Sequence, residues 1–288
     1  MTRWPAIFIL CLSASVFAQS KPVLVWLKND APPFYFLDGP NKGTAYGDVL
    51  QSLLEERLVG YTHKTERIPL SRLQHYWQKG PVKCFATMIH RPPIYSGYLT
   101  SRATVLYRPQ GIVTTRAFLE SRNISPDKPV SLAEFLDQQP LSMGYIAGRS
   151  FGATLDRIIA QHDDVLETIT RPGGTETKGA LTMLAFGRFD FMIEYEFILD
   201  YLRHRDFPNT QFVFLPITEM AGAYIDGAVG CSDSKPGRQV LAAIDAALEE
   251  VLTLPVYRQT IERWLVKPEQ HETYWRDYDA HILNPAEP

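Results

Sequence analysis

The sequence predicts an α/β fold, and three observations support this prediction. Strand-like apolar runs alternate with helix-like runs along most of the 288 residues. The segment 23–58 joins a short apolar strand to an amphipathic helix through a loop that contains Pro32-Pro33 and Gly43. In open α/β sheets, a loop in this position is where ligands bind. About 270 residues follow the predicted leader, which suffices for one large domain or two lobes.

The first 18 residues predict a secretion signal that is removed from the mature protein. Arg3 provides a positive charge, residues 6–12 form an apolar core too short to span a bilayer, and Val16-Phe17-Ala18 is a small-x-small cleavage site. Cys11 lacks the small preceding residue of a lipoprotein signal, so no lipid anchor is expected. We therefore expect an exported protein of a Gram-negative periplasm.

The first part of the mature chain predicts strands and helices in alternation. Strands are expected at 23–27, 61–67 and 83–89. The helix at 47–58 has apolar residues near the 3.6-residue period, and the helix at 69–79 has Pro69 near its start. Residues 104–115 are extended, with an interruption at Pro109.

The middle and end of the chain repeat this order. Ser131 and Glu134 form a capping box for a helix at 131–138. A turn at 148–152 leads into a helix at 153–162, and Gly187 ends a helix at 175–186. The other predicted elements are strands at 141–146, 189–194, 211–215 and 228–231, and helices at 197–203, 237–253 and 257–265.

Charge and cysteine content exclude several classes of partner. The net charge is −3 and the basic residues are scattered, so neither nucleic acid nor an anionic membrane is expected to bind. Cys84 and Cys231, which follow the leader, have no His or Cys two to four residues away, so no metal site is predicted. In an oxidising compartment such a pair favours a disulfide. The alternative is two buried free thiols.

Several motifs occur in an order that covers nearly the whole mature chain. They are Asp30-Ala31-Pro32-Pro33-Phe34, then Gly43 and Gly47-Asp48, then Gly187-Arg188-Phe189-Asp190, and a closing strand and two helices within 228–264. Together they resemble the extracellular solute-binding proteins of family 3, the periplasmic type that serves polar amino acid ABC transporters. Each motif is weak alone, and the ordered set is specific.

The resemblance implies a periplasmic-binding-protein type II fold, with two α/β lobes joined by two hinge strands and a ligand cleft between them. Residues 19–104 and 221–288 would form lobe 1, and residues 105–220 lobe 2. In that topology Cys84 and Cys231 lie on neighbouring strands, within disulfide reach. The family implies a monomer without a cofactor that captures a small polar ligand, an amino acid or a related carboxylate-bearing compound, for an ABC permease.

Candidate ligand-binding residues lie on loops at the ends of strands, where a cleft needs a few well-placed polar groups. Asp30 follows the first strand, where its carboxylate would meet a ligand ammonium or cap the turn before Pro32. Phe34, in the same loop, is a ligand contact or a packing residue. The end of the third strand adds Thr87 and Met88.

Three arginines are candidates for anchoring a ligand carboxylate. Arg72 matches a P-x-x-R pattern of some family branches, and the alternative is a solvated helix arginine. The family anchor falls where this chain has Ile94, so either Arg91 replaces it or the anchor is missing. Arg149 would then supply the charge from the other side of the cleft.

Lobe 2 provides the remaining candidates. Arg149-Ser150-Phe151 begins a helix, where exposed N–H groups favour an anion, and family members use this turn for the ligand carboxylate. Glu194 and Tyr195 lie where the family has an acid for the ligand amino group. Strand alternation lets only one of the two face the cleft, and the sequence leaves both open. Asp190 is expected to be structural.

No catalytic residue is predicted. The chain has no H-E-x-x-H and no phosphate loop, and Gly148-Arg149-Ser150-Phe151-Gly152, which fits the letters of G-x-S-x-G, is interpreted as the turn that leads into a helix. Glu194 and Glu196 are spaced like a glycosidase carboxylate pair, but two charges on one solvated strand edge is the commoner interpretation. The alternatives to transport are a binding protein that signals and, less favoured, an enzyme of the dehydratase type on the same scaffold.

Overall fold

The computed structural model describes residues 20–77, 80–90, 97–171 and 176–285. Within these residues the strands are β1 (Val23–Lys28), β2 (Thr62–Arg67), β3 (Val82–Ile89), β4 (Tyr98–Tyr107), β5 (Gly111–Thr115), β6 (Ser142–Ile146), β7 (Glu167–Arg171), β8 (Phe191–Glu194), β9 (Phe212–Pro216) and β10 (Ile225–Ser232). The helices are α1 (Tyr46–Arg57), α2 (Leu73–Tyr76), α3 (Arg116–Ser121), α4 (Leu132–Leu136), α5 (Ala153–Ala160), α6 (Glu176–Ala185), α7 (Glu196–Asp206), α8 (Lys235–Val251), α9 (Pro255–Trp264) and α10 (His271–Tyr278).

The strands form two five-stranded sheets, and each sheet is the centre of one lobe. The first sheet has the order β2-β1-β3-β10-β4, with β1, β2 and β3 parallel and β10 antiparallel to both of its neighbours. The second has the order β7-β6-β8-β5-β9, with β6, β7 and β8 parallel and β5 antiparallel. The predicted two-lobed α/β architecture is confirmed.

The chain passes between the two sheets twice, at residues 108–110 and again at 217–224. The lobe boundary predicted between 104 and 105 lies inside β4, whereas the boundary predicted between 220 and 221 lies in the second connection. We propose the two connections themselves as the boundaries. Below, lobe 1 means the first sheet with α1, α2 and α8–α10, and lobe 2 means the second sheet with α3–α7.

The longest helix shows how sequence periodicity builds the core of lobe 1. Helix α8 begins after Ser234, whose hydroxyl accepts a hydrogen bond from the Gly237 N–H at 3.0 Å. Its apolar residues recur every three or four positions, so they share one face. That face is buried and consists of Val240, Leu241, Ile244, Leu248 and Val251.

A disulfide joins the two strands at the centre of lobe 1, as predicted. Cys84 of β3 and Cys231 of β10 are cross-strand partners with Cα atoms 4.1 Å apart, and both are fully buried. The bond closes a loop between residues separated by 147 positions. It therefore fixes the returning strand β10 against the strands that begin the chain.

Some local predictions were incomplete. Strand β7 and helices α3 and α10 lie where the sequence predicted no element, and the helix predicted at 69–79 is a short turn followed by α2. Strand β7, with the sequence ETITR, is a polar strand at the edge of its sheet, so it lacks the apolar run that predicts a buried strand. Among the described residues, no helix is both long and apolar enough to cross a membrane.

Candidate ligand-binding site

A cavity of about 160 Å³ lies between the two lobes. Its walls come mainly from the second half of β3 and from the segments that follow β1, β2, β6 and β8, and also from β4 and the first connection between the sheets. These are the carboxyl ends of the parallel strands, which is where ligands bind in open α/β sheets. The fold therefore brings together loops that are far apart in the sequence.

Aromatic rings from both lobes form much of the cavity wall. Phe34 of lobe 1 packs edge-on against Tyr107, at a centroid distance of 5.4 Å, and against Tyr195 of lobe 2, at 6.0 Å. It also contacts Phe197 of lobe 2 at 5.5 Å. Burial raises the pKa of Tyr107 well above its ordinary value, so its hydroxyl is neutral at physiological pH. Phe34 thus both lines the cavity and packs the lobes together.

Among the described residues of this cavity wall, the charged side chain is that of Arg149, which follows β6. Its Nη1 donates to Oε2 of Glu194, which also accepts a hydrogen bond from the Thr177 hydroxyl at 3.0 Å. Glu194 is fully buried, and Arg149 is 12% exposed. A buried carboxylate therefore neutralises and orients a guanidinium that faces the cavity.

This ion pair explains which of Glu194 and Tyr195 faces the cavity. Tyr195 lines the cavity, whereas Glu194 lies behind Arg149. The interpretation that Glu194 and Glu196 are two charges on one solvated strand edge was wrong for Glu194. Glu194 is buried against Arg149, and Glu196 pairs at the surface with Lys267 at 2.6 Å.

The turn at the start of α5 already binds a carboxylate of the protein itself, that of Asp156. The Asp156 carboxylate accepts hydrogen bonds from the Ser150 hydroxyl and from the Phe151 N–H, the latter at 2.8 Å. Ser150 still lines the cavity. Phe151 does not, because its ring is buried in the core of lobe 2 against Tyr145. The predicted anion-binding N–H of Phe151 is therefore occupied by the protein itself.

Two predicted residues of lobe 1 lie away from this cavity. Asp30 lines a second interlobe pocket, where its carboxylate pairs with Arg67 at 3.3 Å. Burial raises the pKa of Asp30 and outweighs the opposing effect of Arg67. Arg72 is exposed and is not among the residues that line the cavity. Neither side chain is placed to contact a ligand in the cavity.

The remaining predicted residues divide in two ways. Thr87 and Met88, at the end of β3, are half-buried and line the cavity. Arg91 and the comparison position Ile94 lie outside the described residues. Within the described residues, no cluster of three or more His, Cys, Asp or Glu side chains could hold a metal ion.

Sequence reasoning missed several polar residues of the cavity, namely Asn29, Ser71, Gln74 and Gln110. Asn29 directly follows β1, so the strand-end rule that selected Asp30 was one residue away from it. Gln110 is different, because it lies in the connection between β4 and β5. The interruption at Pro109 marked that connection but carried no chemical signal for a binding residue.

Comparisons with known proteins agree on the fold. No protein-family model matches the chain, and no curated protein matches it. Among solved structures, a putative L-cystine ABC transporter protein from Listeria monocytogenes has a TM-score of 0.64 at 17% identity, covering 85% of this chain and 95% of that chain. A Salmonella typhimurium periplasmic binding protein with high arginine specificity has a TM-score of 0.62 at 15% identity, covering 85% and 100%.

A domain of a protein that is not named as a transport protein is also among the similar structures. The periplasmic VFT2 domain of Bordetella pertussis BvgS has a TM-score of 0.60 at 17% identity, covering 85% of this chain and 94% of that domain. At these identities the similarity establishes a shared fold. The chain has the type II periplasmic binding protein fold, and the fold class predicted from the motifs is confirmed.

Proposed function

We propose that this chain is a periplasmic solute-binding protein that closes its lobes around a small polar ligand and delivers it to an ABC permease. The observation that carries the proposal is the interlobe cavity, whose walls come from both lobes. A ligand that contacts both lobes binds the closed form better than the open form, and so shifts the population toward closure. The protein acts as a monomer, without catalysis.

The ligand class that we propose is an amino acid or a related carboxylate-bearing compound. Arg149 supports this class because it is the cation of the described cavity wall and is held in place by Glu194. Its guanidinium faces the cavity, and a ligand carboxylate would share it with Glu194. The similar proteins named for cystine and arginine support the same class.

The proposal is tested by a thermal-shift screen of the purified mature protein. The panel contains the twenty amino acids, L-cystine, glutathione, and the acids succinate, glutarate and 3-phenylpropanoate. A compound at 100 times its Kd stabilises the folded protein by about 2.7 kcal/mol, which raises Tm measurably. We expect at least one panel compound to do so, and a panel without any stabilising compound contradicts the proposal.

The role of Arg149 is tested with the same compound and two variants. Arg149→Lys keeps the positive charge beside Glu194 but loses the planar fork, so we expect at least tenfold weaker binding by calorimetry. Arg188→Met changes an exposed arginine of lobe 2 and should leave Kd within twofold of wild type. Equal affinity in all three proteins would remove Arg149 from the site.

A signalling role is the second candidate, because the BvgS domain shares the fold. The two roles differ in what deletion of the gene does in the cell. For transport, deletion abolishes uptake of the isotope-labelled panel compound, and complementation restores it. Normal uptake with an altered transcriptional response to that compound would instead assign the chain to sensing. Recovery of the compound unchanged after incubation, followed by NMR, separates both roles from an enzyme.

A further inference from the structure

Gln110 is one of the polar cavity residues that no prediction included. It lies in the first connection between the sheets, its side chain is 1% exposed, and it lines the interlobe cavity. Its Oε1 accepts no hydrogen bond from the described residues of the protein. It therefore combines burial, an open side toward the cavity and an acceptor for which the described residues supply no donor.

Such an atom is unusual in a folded protein. Buried side-chain oxygens are almost always hydrogen-bonded, because burial without a partner loses the bonds that water provides. The aromatic wall formed by Phe34, Tyr107 and Tyr195 lowers the local polarity, which strengthens any hydrogen bond made there. An acceptor placed in this way favours a bound molecule that supplies the missing donor.

The main chain next to Gln110 is held firmly in place. The following residue, Gly111, pairs with both β8 and β9. A Cβ atom on Gly111 would lie 2.5 Å from the Leu215 carbonyl oxygen and 2.5 Å from the Phe214 ring, so the backbones approach closely here. The amide of Gln110 is thus presented from a rigid support, which preorganises a binding contact.

We propose that Gln110 binds the ligand directly, by accepting a hydrogen bond from an N–H or O–H group of the ligand. The inference rests on the proposed function and narrows its substrate class. The cavity takes a carboxylate that also carries a donor, such as an ammonium, amide or hydroxyl group. Arg149 holds the anionic end, and Gln110 selects the donor.

The test uses Gln110→Leu and a matched control, Gln51→Leu. Gln51 is also buried, but it lies on α1 outside the cavity, and its amide donates to Glu55 at 2.6 Å and Thr65 at 3.0 Å. The probe is the panel compound that stabilises wild type most, with its analogue in which the donor is replaced by C–H. Kd is measured by calorimetry, and Tm is measured without any compound.

We expect Gln110→Leu to raise the Kd of the donor-bearing compound at least tenfold and the Kd of its analogue less than twofold. Only the donor-bearing compound loses a hydrogen bond when Gln110 is replaced. Gln51→Leu should change neither Kd by more than twofold. The Tm of the free Gln110→Leu protein should equal or exceed that of wild type, since no residue in the described part of the chain donates to Gln110 Oε1.

Three results would overturn the inference. A clear fall in the Tm of free Gln110→Leu would show that the amide has a structural bond. Unchanged Kd in Gln110→Leu, with wild type still binding the compound, would remove Gln110 alone and leave the proposed function intact. A panel without any stabilising compound would count against both proposals.

Discussion

At the scale of single residues, a buried carboxylate that does not face the cavity fixes the position of the cation that does. Glu194 accepts from Arg149, from the Thr177 hydroxyl at 3.0 Å and from the Tyr195 N–H at 2.9 Å. Both carboxylate oxygens are therefore used within lobe 2. Arg149 presents its guanidinium to the cavity because Glu194 holds it from behind.

Removing the charge of Glu194 should be costly because Arg149 would then be a nearly buried cation without its carboxylate. We expect Glu194→Gln to lower the free energy of unfolding by about 3 kcal/mol, measured by urea denaturation. The double variant Arg149→Met with Glu194→Gln should recover part of this loss. Glu196→Gln, which breaks a half-exposed pair with Lys267, should cost less than about 1 kcal/mol. Equal losses for Glu194→Gln and Glu196→Gln would contradict this interpretation.

At the scale of strands, lobe 1 depends on a partner from the far end of the chain. Strand β10 pairs with both β3 and β4, so residues after position 224 complete a sheet begun near residue 23. The Cys84–Cys231 disulfide lies on this pairing and spans 147 positions of sequence. A cross-link over so long a loop strongly restricts the unfolded chain.

The double variant Cys84→Ala with Cys231→Ala should therefore fold less stably than wild type. We expect a loss of about 2–5 kcal/mol in the free energy of unfolding without reductant. Wild type unfolded and refolded in reductant provides the control, because it should approach the stability of the variant. Intact mass should show wild type lighter than its reduced form by two hydrogen atoms. Labelling of both thiols in the native protein would refute the bond.

At the scale of the whole molecule, the two lobes touch at separate places. At one of them Gly148 of lobe 2 faces lobe 1, and a Cβ atom there would lie 3.1 Å from Ser71 Cα and 3.3 Å from the Leu70 carbonyl oxygen. At another, Tyr201 of lobe 2 packs against Trp264 of lobe 1, at a centroid distance of 6.0 Å. The described structure is thus a form with the lobes in contact.

Gly148→Ala should shift the population away from this form. Gly148 has φ +83°, and a Cβ would also crowd Ser71 across the lobe contact. Gly187→Ala is the matched control, because Gly187 has φ +64° with nothing within 4 Å. Both should lose about 1–2 kcal/mol of stability from backbone strain. Only Gly148→Ala should also raise the Kd of the panel compound several-fold and increase the radius of gyration of the liganded protein in small-angle scattering. Equal Kd values for the two variants would refute the role of Gly148 in lobe closure.

The sequence by itself determined the α/β class and the order of most elements. These features depend on local physics: hydrophobic periodicity, capping residues, and loops with proline and glycine between elements. The two lobes and the placement of Cys84 and Cys231 on neighbouring strands were predicted from the resemblance of the ordered motifs to a known family. The periodic helix α8 illustrates this, because its apolar positions alone identify its buried face. Strand β7 was missed because a polar edge strand has no such pattern.

Only the tertiary structure decided which polar side chains face the cavity. Arg149 and Glu194 are 45 residues apart in the sequence, and their pairing turned Glu194 away from the cavity and left Tyr195 on its wall. Asp30 pairs with Arg67, which lies 37 residues later in the sequence. Gln110 lines the cavity because the connection between the two sheets passes there. The orientation of a polar side chain depends on partners that only folding brings near, so no local pattern predicts it.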